Sequence, residues 1–246
     1  MKIRFASVSE QGKRENNQDA VFAAAKEDKA LFIVADGMGG HSYGEVASAA
    51  IVEAAEEWWN SAAAEADLEE DEAVRGCEDL LQRVNRELYD QYASQGTMVG
   101  STVVLLLIWN GSFTAISGGD SHIYRLEDRE ARTVTPDDIW DNMPGIREYY
   151  TSEEIRRDYR HGRLTVAVGS DCELPLNKRA RSLNKKESFL LCSDGIYKYC
   201  PPDYLSRQLR RRFSGVEKVL QALVRKAEKN GTTDNYSAIY IRISDA

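Results

Sequence analysis

The dipeptide Asn110-Gly111, set between two apolar runs, is the feature that most constrains how this chain folds. Both positions of a tight two-residue hairpin turn require positive φ, which asparagine and glycine adopt more readily than other residues. The flanking runs, 101–109 and 112–117, are rich in β-branched and aromatic residues, a composition that favours strands over helices. The sequence therefore predicts a β-hairpin near the middle of the chain.

Short runs of the same character predict five more strands, at 3–8, 31–35, 121–126, 188–192 and 236–243. Three other segments repeat apolar residues every three or four positions, which places one face of a helix against a core. These segments are 46–59, 77–92 and 216–227. Trp58 and Trp59 stand together at the end of the first helix, where core residues are expected more often than a cofactor site.

Strands near both ends of the chain, with helices between them, predict an α+β fold of two sheets covered by helices. Residues 136–163 are polar and lack a long apolar period, and prolines and glycines interrupt them. We therefore expect an irregular flap there, within a single domain that spans residues 1–246.

Composition excludes several classes of function. The longest apolar run, 103–109, is too short to cross a membrane, and the first residues lack the basic and apolar parts of a secretory signal. A formal charge of −8 argues against nucleic-acid binding. The four cysteines show no paired spacing, which indicates free thiols and a cytoplasmic protein.

The charge is unevenly distributed along the chain. Residues 53–79 contain eleven acidic residues and one basic residue. Repulsion among them predicts a solvated, mobile loop around 69–72, with a docking site for a basic partner as the alternative. The basic clusters at 178–186 and 207–212 are expected to be solvated faces, with contact to an acidic partner as the alternative.

Five aspartates stand at the edges of apolar runs that are far apart in sequence: Asp19, Asp36, Asp120, Asp194 and Asp234. If the strands pair, these edges converge, and neighbouring carboxylates shift one another's pKa. A divalent cation relieves that repulsion, and all-oxygen ligation favours Mg²⁺ or Mn²⁺ over zinc. Any single Asp-Gly step is also typical of a simple turn, but five in the same role favour a metal site.

No other catalytic centre is indicated by the sequence. The three histidines are too scattered for a zinc site, and neither a serine-nucleophile elbow nor a Walker loop is present. Cys192 lies beside Asp194, but it lacks the anion-cradling loop and following arginine of a thiol phosphatase. A buried strand cysteine is therefore expected.

Six motifs appear in the order found in the metal-dependent (type 2C, PPM-type) protein serine/threonine phosphatases, which the chain resembles over residues 3–243. They are Arg14-Glu15-Asn16-Asn17-Gln18-Asp19, Asp36-Gly37-Met38-Gly39-Gly40-His41, Gly100-Ser101-Thr102, Gly119-Asp120-Ser121, Leu191-Cys192-Ser193-Asp194-Gly195 and Asp234-Asn235. Met38 makes the chain similar to the bacterial branch. The resemblance implies a β-sandwich of two antiparallel sheets flanked by helix pairs, in four αββα layers.

The same resemblance implies the metal ligands. Asp36 would bridge two divalent cations, Mn²⁺ or Mg²⁺, and the carbonyl of Gly37 would bind the second of them. Asp194 and Asp234 would complete the first ion. Asp120, together with Asp194, matches the position that holds a weaker third ion in bacterial members.

The implied activity is hydrolysis of phosphoserine and phosphothreonine in proteins by a metal-activated water, without a covalent intermediate. Asp19 would hold metal-bound water, Arg14 would grip the substrate phosphate, and His41 would assist protonation of the leaving group. The implied partners are phosphoproteins modified by a serine/threonine kinase, and a monomer is expected.

One segment departs from the family pattern. Where the family commonly has Leu-Thr-x-Asp-His-Ser, this chain has Val134-Thr135-Pro136-Asp137-Asp138-Ile139. This region faces the substrate in the family, so the resemblance implies the metal chemistry but does not specify the substrate. Two alternatives remain: a catalytically inactive pseudophosphatase that binds phosphoproteins, and a phosphatase of small phosphorylated metabolites. Pseudoenzymes usually lack at least one metal aspartate, and the retention of all of them here favours an enzyme.

Overall fold

The computed structural model describes residues 1–39, 43–62, 68–184, 186–211 and 213–244. Within these residues, two antiparallel β-sheets lie face to face, and helices cover the outer face of each sheet. This arrangement confirms the predicted α+β sandwich of four layers. None of the described helices combines the length and the apolar character that crossing a bilayer requires.

The first sheet contains five antiparallel strands. In spatial order they are β1 (Lys2–Glu10), β11 (Tyr236–Ser244), β10 (Glu187–Cys192), β7 (His122–Glu127) and β8 (Glu130–Thr133). β1 and β11 pair over their whole length, so that Lys2 lies opposite Ser244 and Glu10 opposite Tyr236. This pairing brings the segment after β1 close to the segment before β11.

The second sheet has the order β2 (Asp19–Lys26), β3 (Lys29–Met38), β5 (Val103–Trp109), β6 (Ser112–Gly118) and β9 (Asn177–Ser182). A short strand, β4 (Gly100–Ser101), pairs with the end of β3. β5 and β6 form the predicted hairpin, and the φ angles of Asn110 and Gly111 are 49° and 84°. The positive φ at both positions confirms the tight turn expected from these two residues.

Alternate residues of the central strands fill the space between the sheets. Phe32 and Val34 of β3 pack in the same cluster as Phe189 and Ile241 of the first sheet. The intervening residues of β3, such as Ile33, belong to the cluster beneath the helices. Because side chains alternate along a strand and both faces of this sheet are covered, its central strands are apolar without interruption.

Two helix pairs form the outer layers. α1 (Tyr43–Ala62) and α2 (Glu70–Gln91) cover the second sheet, and α6 (Pro202–Leu209) and α7 (Val216–Lys229) cover the first. Trp59 is buried, and the rings of Trp58 and Trp59 both contact Trp109 of the sheet, at centroid distances of 6.2 and 6.4 Å. The core interpretation of the tryptophan pair is therefore confirmed.

The structure contains elements that the sequence pattern does not predict. β2, β8, β9 and α6 were not expected, and the flap at 136–163 is not wholly irregular. It contains a 3-10 turn at Trp140–Asn142 and two short helices, α3 (Ile146–Tyr149) and α4 (Ser152–Arg157). β9 is almost entirely exposed at the edge of its sheet, which explains the lack of an apolar alternation that would mark it as a strand.

The acidic residues 69–72 do not form the expected mobile loop. Glu69 is the N-cap of α2, and its backbone N–H donates to the Glu72 carboxylate at 3.3 Å. Negative side chains are stabilised at a helix N-terminus by the unpaired backbone N–H groups and the helix dipole. The acidic run that suggested a loop therefore begins a helix.

Candidate metal centre

Two of the predicted site aspartates meet because β2 pairs with β3. In the antiparallel register, Asp19 at the start of β2 lies directly opposite Asp36 near the end of β3. Side chains of directly opposed residues in an antiparallel pair lie on the same face and close together. The pairing therefore brings together two carboxylates that are 17 positions apart in the sequence.

The first sheet supplies two more aspartates from adjacent strand ends. β10 ends at Cys192, opposite Ala238 of β11, so Asp194 and Asp234 flank the same edge. Asp194 begins a short helix, α5 (Asp194–Tyr197). The two strands are antiparallel, and the end of one therefore meets the start of the other.

Hydrogen bonds join the two sheets at this edge. Ser193 Oγ donates to Asp19 Oδ2 at 2.8 Å, and the backbone N–H of Gln18 donates to Asn235 Oδ1 at 3.0 Å. Asn235 Nδ2 in turn donates to the carbonyls of Gln11 and Asn16, at 2.7 and 2.8 Å. The loop between β1 and β2 is thus fixed to the residue that follows Asp234.

Asp120 reaches the same edge from the end of β6. Thr102 Oγ1 accepts from the Asp36 backbone N–H at 3.1 Å and shares a hydrogen bond of 2.8 Å with Ser121 Oγ. Asp138 Oδ2 accepts from the Gly119 N–H at 3.1 Å. Asp138 belongs to the segment that departs from the family pattern, so that segment braces the loop carrying Asp120.

Gly37 lies where no side chain fits. A Cβ at this position would overlap the carbonyl oxygen of Gly44 at the start of α1, as well as the carbonyl oxygen of Gln18. The Gly37 N–H donates to that same Gln18 carbonyl at 3.0 Å. Glycine here permits the close approach of three backbone segments at the metal-binding edge.

Burial, together with the neighbouring carboxylates, raises the pKa of three aspartates of the cluster. Burial, followed by the charges of the other four aspartates, raises the pKa of Asp36 well above its usual value. Burial raises the pKa of Asp19 to about 6, against the lowering effect of hydrogen bonds from Ser193 and Ser237. Burial is also the main cause that raises the pKa of Asp120. Full ionisation at neutral pH therefore requires positive charge among these groups.

Two side-chain cations provide part of that charge. Lys198 Nζ lies 2.7 Å from Asp194 Oδ2 and 3.9 Å from Asp120 Oδ2. Arg14 donates to Asp234 Oδ2 at 2.8 Å, so the arginine expected to hold substrate phosphate lies at the acidic cluster. Partial burial lowers the pKa of Lys198, but the hydrogen bond and charge of Asp194 more than offset it, and the pKa is raised.

The donor chemistry fits divalent cations, although no three acidic, histidine or cysteine side chains of the described part already surround one point as a ligand cage. The donors are carboxylate oxygens, which hard ions prefer. Asp19 Oδ1 is buried and has no hydrogen-bond partner among the described residues. The side chains of Asp120, Asp194 and Asp234 are 17, 22 and 34% exposed, so an ion can reach them from solvent.

The structure thus brings together all seven residues predicted at the site other than His41. Contacts or charge link Arg14, Asp19, Asp36, Asp120, Asp194 and Asp234, and Gly37 lies next to Asp36. His41 lies outside the described residues. Lys198 and Asn235 were not assigned roles from sequence. A lysine four positions after Asp194 was the available signal for Lys198, because that spacing places both side chains on one face of a helical turn.

Cys192 behaves as expected for a strand cysteine. It is fully buried, and burial raises the pKa of its thiol well above the usual value. A thiol held neutral inside the sheet is not a nucleophile for phosphate.

Comparison with known proteins agrees with this geometry. Residues 8–235 match the family model described as Protein phosphatase 2C. The serine/threonine phosphatase stp of Listeria monocytogenes is 27% identical over 237 residues, which cover 93% of this chain and 90% of that protein.

Solved structures show the same fold over the whole chain. PppA, described as a key regulatory component of T6SS in Pseudomonas aeruginosa, is 29% identical, with a TM-score of 0.82 and coverage of 98% of this chain and 97% of that one. The catalytic domain of the phosphatase PstP, solved with two manganese ions, is 25% identical, with a TM-score of 0.80 and 99% coverage of each chain. The chain therefore belongs to the protein phosphatase 2C family, in its bacterial, PPM-type branch.

Proposed function

We propose that this protein hydrolyses phosphoserine and phosphothreonine in phosphoproteins, with two divalent cations, Mn²⁺ or Mg²⁺, and without a covalent intermediate. The observation that carries the proposal is the convergence of five aspartates on one edge, where burial, followed by the charges of the other four, raises the pKa of Asp36. Repulsion among buried carboxylates destabilises the fold unless bound cations neutralise their charge. The family relationship and the manganese-bound relative support the same assignment.

In this proposal the chain's own residues hold and orient the reactants. Asp36 would bridge the two ions, the Gly37 carbonyl would bind one of them, and Asp194 and Asp234 would complete the other. When bound, the ions supply positive charge to the phosphate oxygens and an activated water as nucleophile. Asp19, largely buried with one unpartnered oxygen, would accept a hydrogen bond from that water.

Arg14 would exchange partners when substrate binds. Its side chain is 58% exposed, and it contacts Asp234 through one terminal nitrogen. A guanidinium has further N–H donors and matches two phosphate oxygens at once. Ligation of Asp234 to a cation would leave Arg14 to bind the phosphate of the substrate.

Among the described residues, the cysteine and the serine that precede Asp194 are both unavailable as nucleophiles, which supports a mechanism without a covalent intermediate. Cys192 is buried and its pKa is raised, and Ser193 donates its hydroxyl proton to Asp19 from a fully buried position. Water is the remaining nucleophile that can reach the exposed carboxylates. We extend the proposal to a monomeric, cytoplasmic enzyme that reverses a serine/threonine kinase.

The test is hydrolysis of a phosphothreonine peptide with Mn²⁺, with EDTA, and by the variant Asp194→Asn. Asp79→Asn is the matched control, because Asp79 is an exposed aspartate on α2. Metal-dependent turnover that Asp194→Asn loses by 100-fold or more, and that Asp79→Asn retains, is expected. Turnover that persists in EDTA would contradict the proposal. Tight phosphopeptide binding without turnover would instead favour the pseudophosphatase, which the comparisons do not support.

A further inference from the structure

The ammonium group of Lys198 lies between Asp120 and Asp194, the two aspartates at which the family resemblance implies a third metal ion. Nζ is 2.7 Å from Asp194 Oδ2 and 3.9 Å from Asp120 Oδ2. These are the same two carboxylates that a third ion would share. A side-chain cation in contact with one and near the other competes with an ion for the same space and the same negative charge.

Packed aromatic residues fix the backbone from which the Lys198 side chain, 52% exposed, reaches the two aspartates. The backbone N–H of Lys198 donates to the Asp194 carbonyl at 3.1 Å, which closes α5. The preceding residue, Tyr197, stacks on His122 with ring centroids 3.9 Å apart, and its hydroxyl lies 3.4 Å from Asp120 Oδ2. The lysine therefore projects from a short helix that is fixed to the loop carrying Asp120.

His122 is itself fixed on both ring nitrogens. Nδ1 shares a hydrogen bond of 2.8 Å with Tyr124, and Nε2 one of 2.6 Å with Asp137. Asp137 belongs to the divergent segment 134–139. The divergent segment thus fixes the His122 ring, against which Tyr197, the residue before Lys198, is stacked.

The charge balance of the cluster also disfavours a third metal ion. Five aspartates and the two cations Arg14 and Lys198 leave a net charge of −3 when all are ionised. Two divalent ions more than neutralise this charge. A third would find no uncompensated charge among these seven residues and would have to displace a tethered ammonium, which acts at an effective concentration of about a millimolar or more.

We infer that Lys198 takes the place of the third metal ion. This protein then binds two divalent cations, and the ammonium group of Lys198 occupies the third cation position. The inference rests on the proposed two-ion function. It revises the third ion that the sequence resemblance suggested at Asp120 and Asp194.

The test is the number of Mn²⁺ ions bound per chain, measured by equilibrium dialysis and metal analysis up to millimolar Mn²⁺. We expect two ions for the wild type and three for Lys198→Gln, which removes the charge and keeps most of the side-chain length. Lys198→Arg should remain at two. Lys178→Gln is the matched control and should also remain at two, because Lys178 pairs with Glu78 at 2.7 Å.

Asp120→Asn identifies where the additional ion binds. In the wild-type background it should leave the number of ions at two, and in the Lys198→Gln background it should reduce three to two. Three ions in the wild type, or two in a Lys198→Gln protein whose circular dichroism is native, would overturn this inference and leave the proposed function intact. No bound Mn²⁺ in any variant would overturn the proposed function as well.

Discussion

Ser193 donates a hydrogen bond of 2.8 Å to Asp19, a residue 174 positions earlier in the chain and in the other sheet. Both groups are buried, and Ser193 Oγ also accepts from the Ser237 backbone N–H at 3.0 Å. The bond stabilises the ionised form of Asp19 and joins the sheets at the edge where the aspartates converge. Stability and metal binding are therefore coupled through Asp19.

The metal-free protein should lose stability as the pH rises from about 4 to 6.5, the range set by the pKa of Asp19 in the unfolded and in the folded protein. Burial raises the pKa of Asp19 from 3.8 to about 6, so the folded state retains a proton that the unfolded chain has released. The unfolding free energy falls with rising pH wherever the folded state binds more protons. A shift of this size corresponds to about 1–3 kcal/mol.

Urea denaturation in EDTA at several pH values measures this effect, and Asp19→Asn isolates it. The variant should lose that part of the pH dependence, whereas the exposed Asp79→Asn should retain the wild-type dependence. An Asp19→Asn protein with an unchanged pH slope would show that Asp19 is not the titrating group.

Divalent cations should stabilise the folded protein, and more strongly at pH 7.5 than at pH 5. Ligand carboxylates must be deprotonated, and the raised pKa of Asp36 makes protons competitors of the ions. At a Mn²⁺ concentration 100-fold above its Kd, the gain is about 2.7 kcal/mol for one site. Thermal melting with and without Mn²⁺ measures it. Asp36→Asn should remove most of the gain, and an equal gain in that variant would exclude Asp36 as a ligand.

The strand ends were the predictable part of the site. Asp36 and Asp194 each follow a short apolar run and precede glycine, and this local pattern is visible without knowledge of the fold. The hairpin at Asn110 was predictable for the same reason, because its turn depends on two adjacent residues. Signals of this kind do not depend on which distant segments pair.

Residues whose role depends on tertiary pairing were not predictable. Lys198 lies next to two aspartates only because the ends of β6 and β10 place Asp120 near Asp194. Asn235 acts through the carbonyls of Gln11 and Asn16, more than 200 residues away. β9 was missed because an exposed edge strand needs no apolar face, and residues 69–72 were misread because acidic runs suit both loops and helix starts.

Two glycine substitutions should separate steric overlap from backbone strain. Gly37→Ala should destabilise the protein by more than about 3 kcal/mol and abolish activity, because its Cβ would overlap the carbonyl oxygens of Gly44 and Gln18. Gly111→Ala should cost only about 1 kcal/mol, because φ is +84° but no atom lies within 4 Å of the added Cβ. Urea denaturation and peptide hydrolysis measure both. Similar losses in the two variants would contradict the close approach at Gly37.

Asn235→Ala should destabilise the protein and weaken substrate binding together. Asn235 is 6% exposed and makes three hydrogen bonds to backbone groups of the loop that carries Arg14. Leaving those groups unpaired should cost at least about 2 kcal/mol and raise the KM for a phosphopeptide, since the loop would no longer hold Arg14 in place. The control Asn230→Ala removes two exposed hydrogen bonds, one donated to the Tyr199 carbonyl and one accepted from Lys226, and should cost about 1 kcal/mol or less with KM unchanged. An unchanged KM in a folded Asn235→Ala protein would show that the loop is positioned by other contacts.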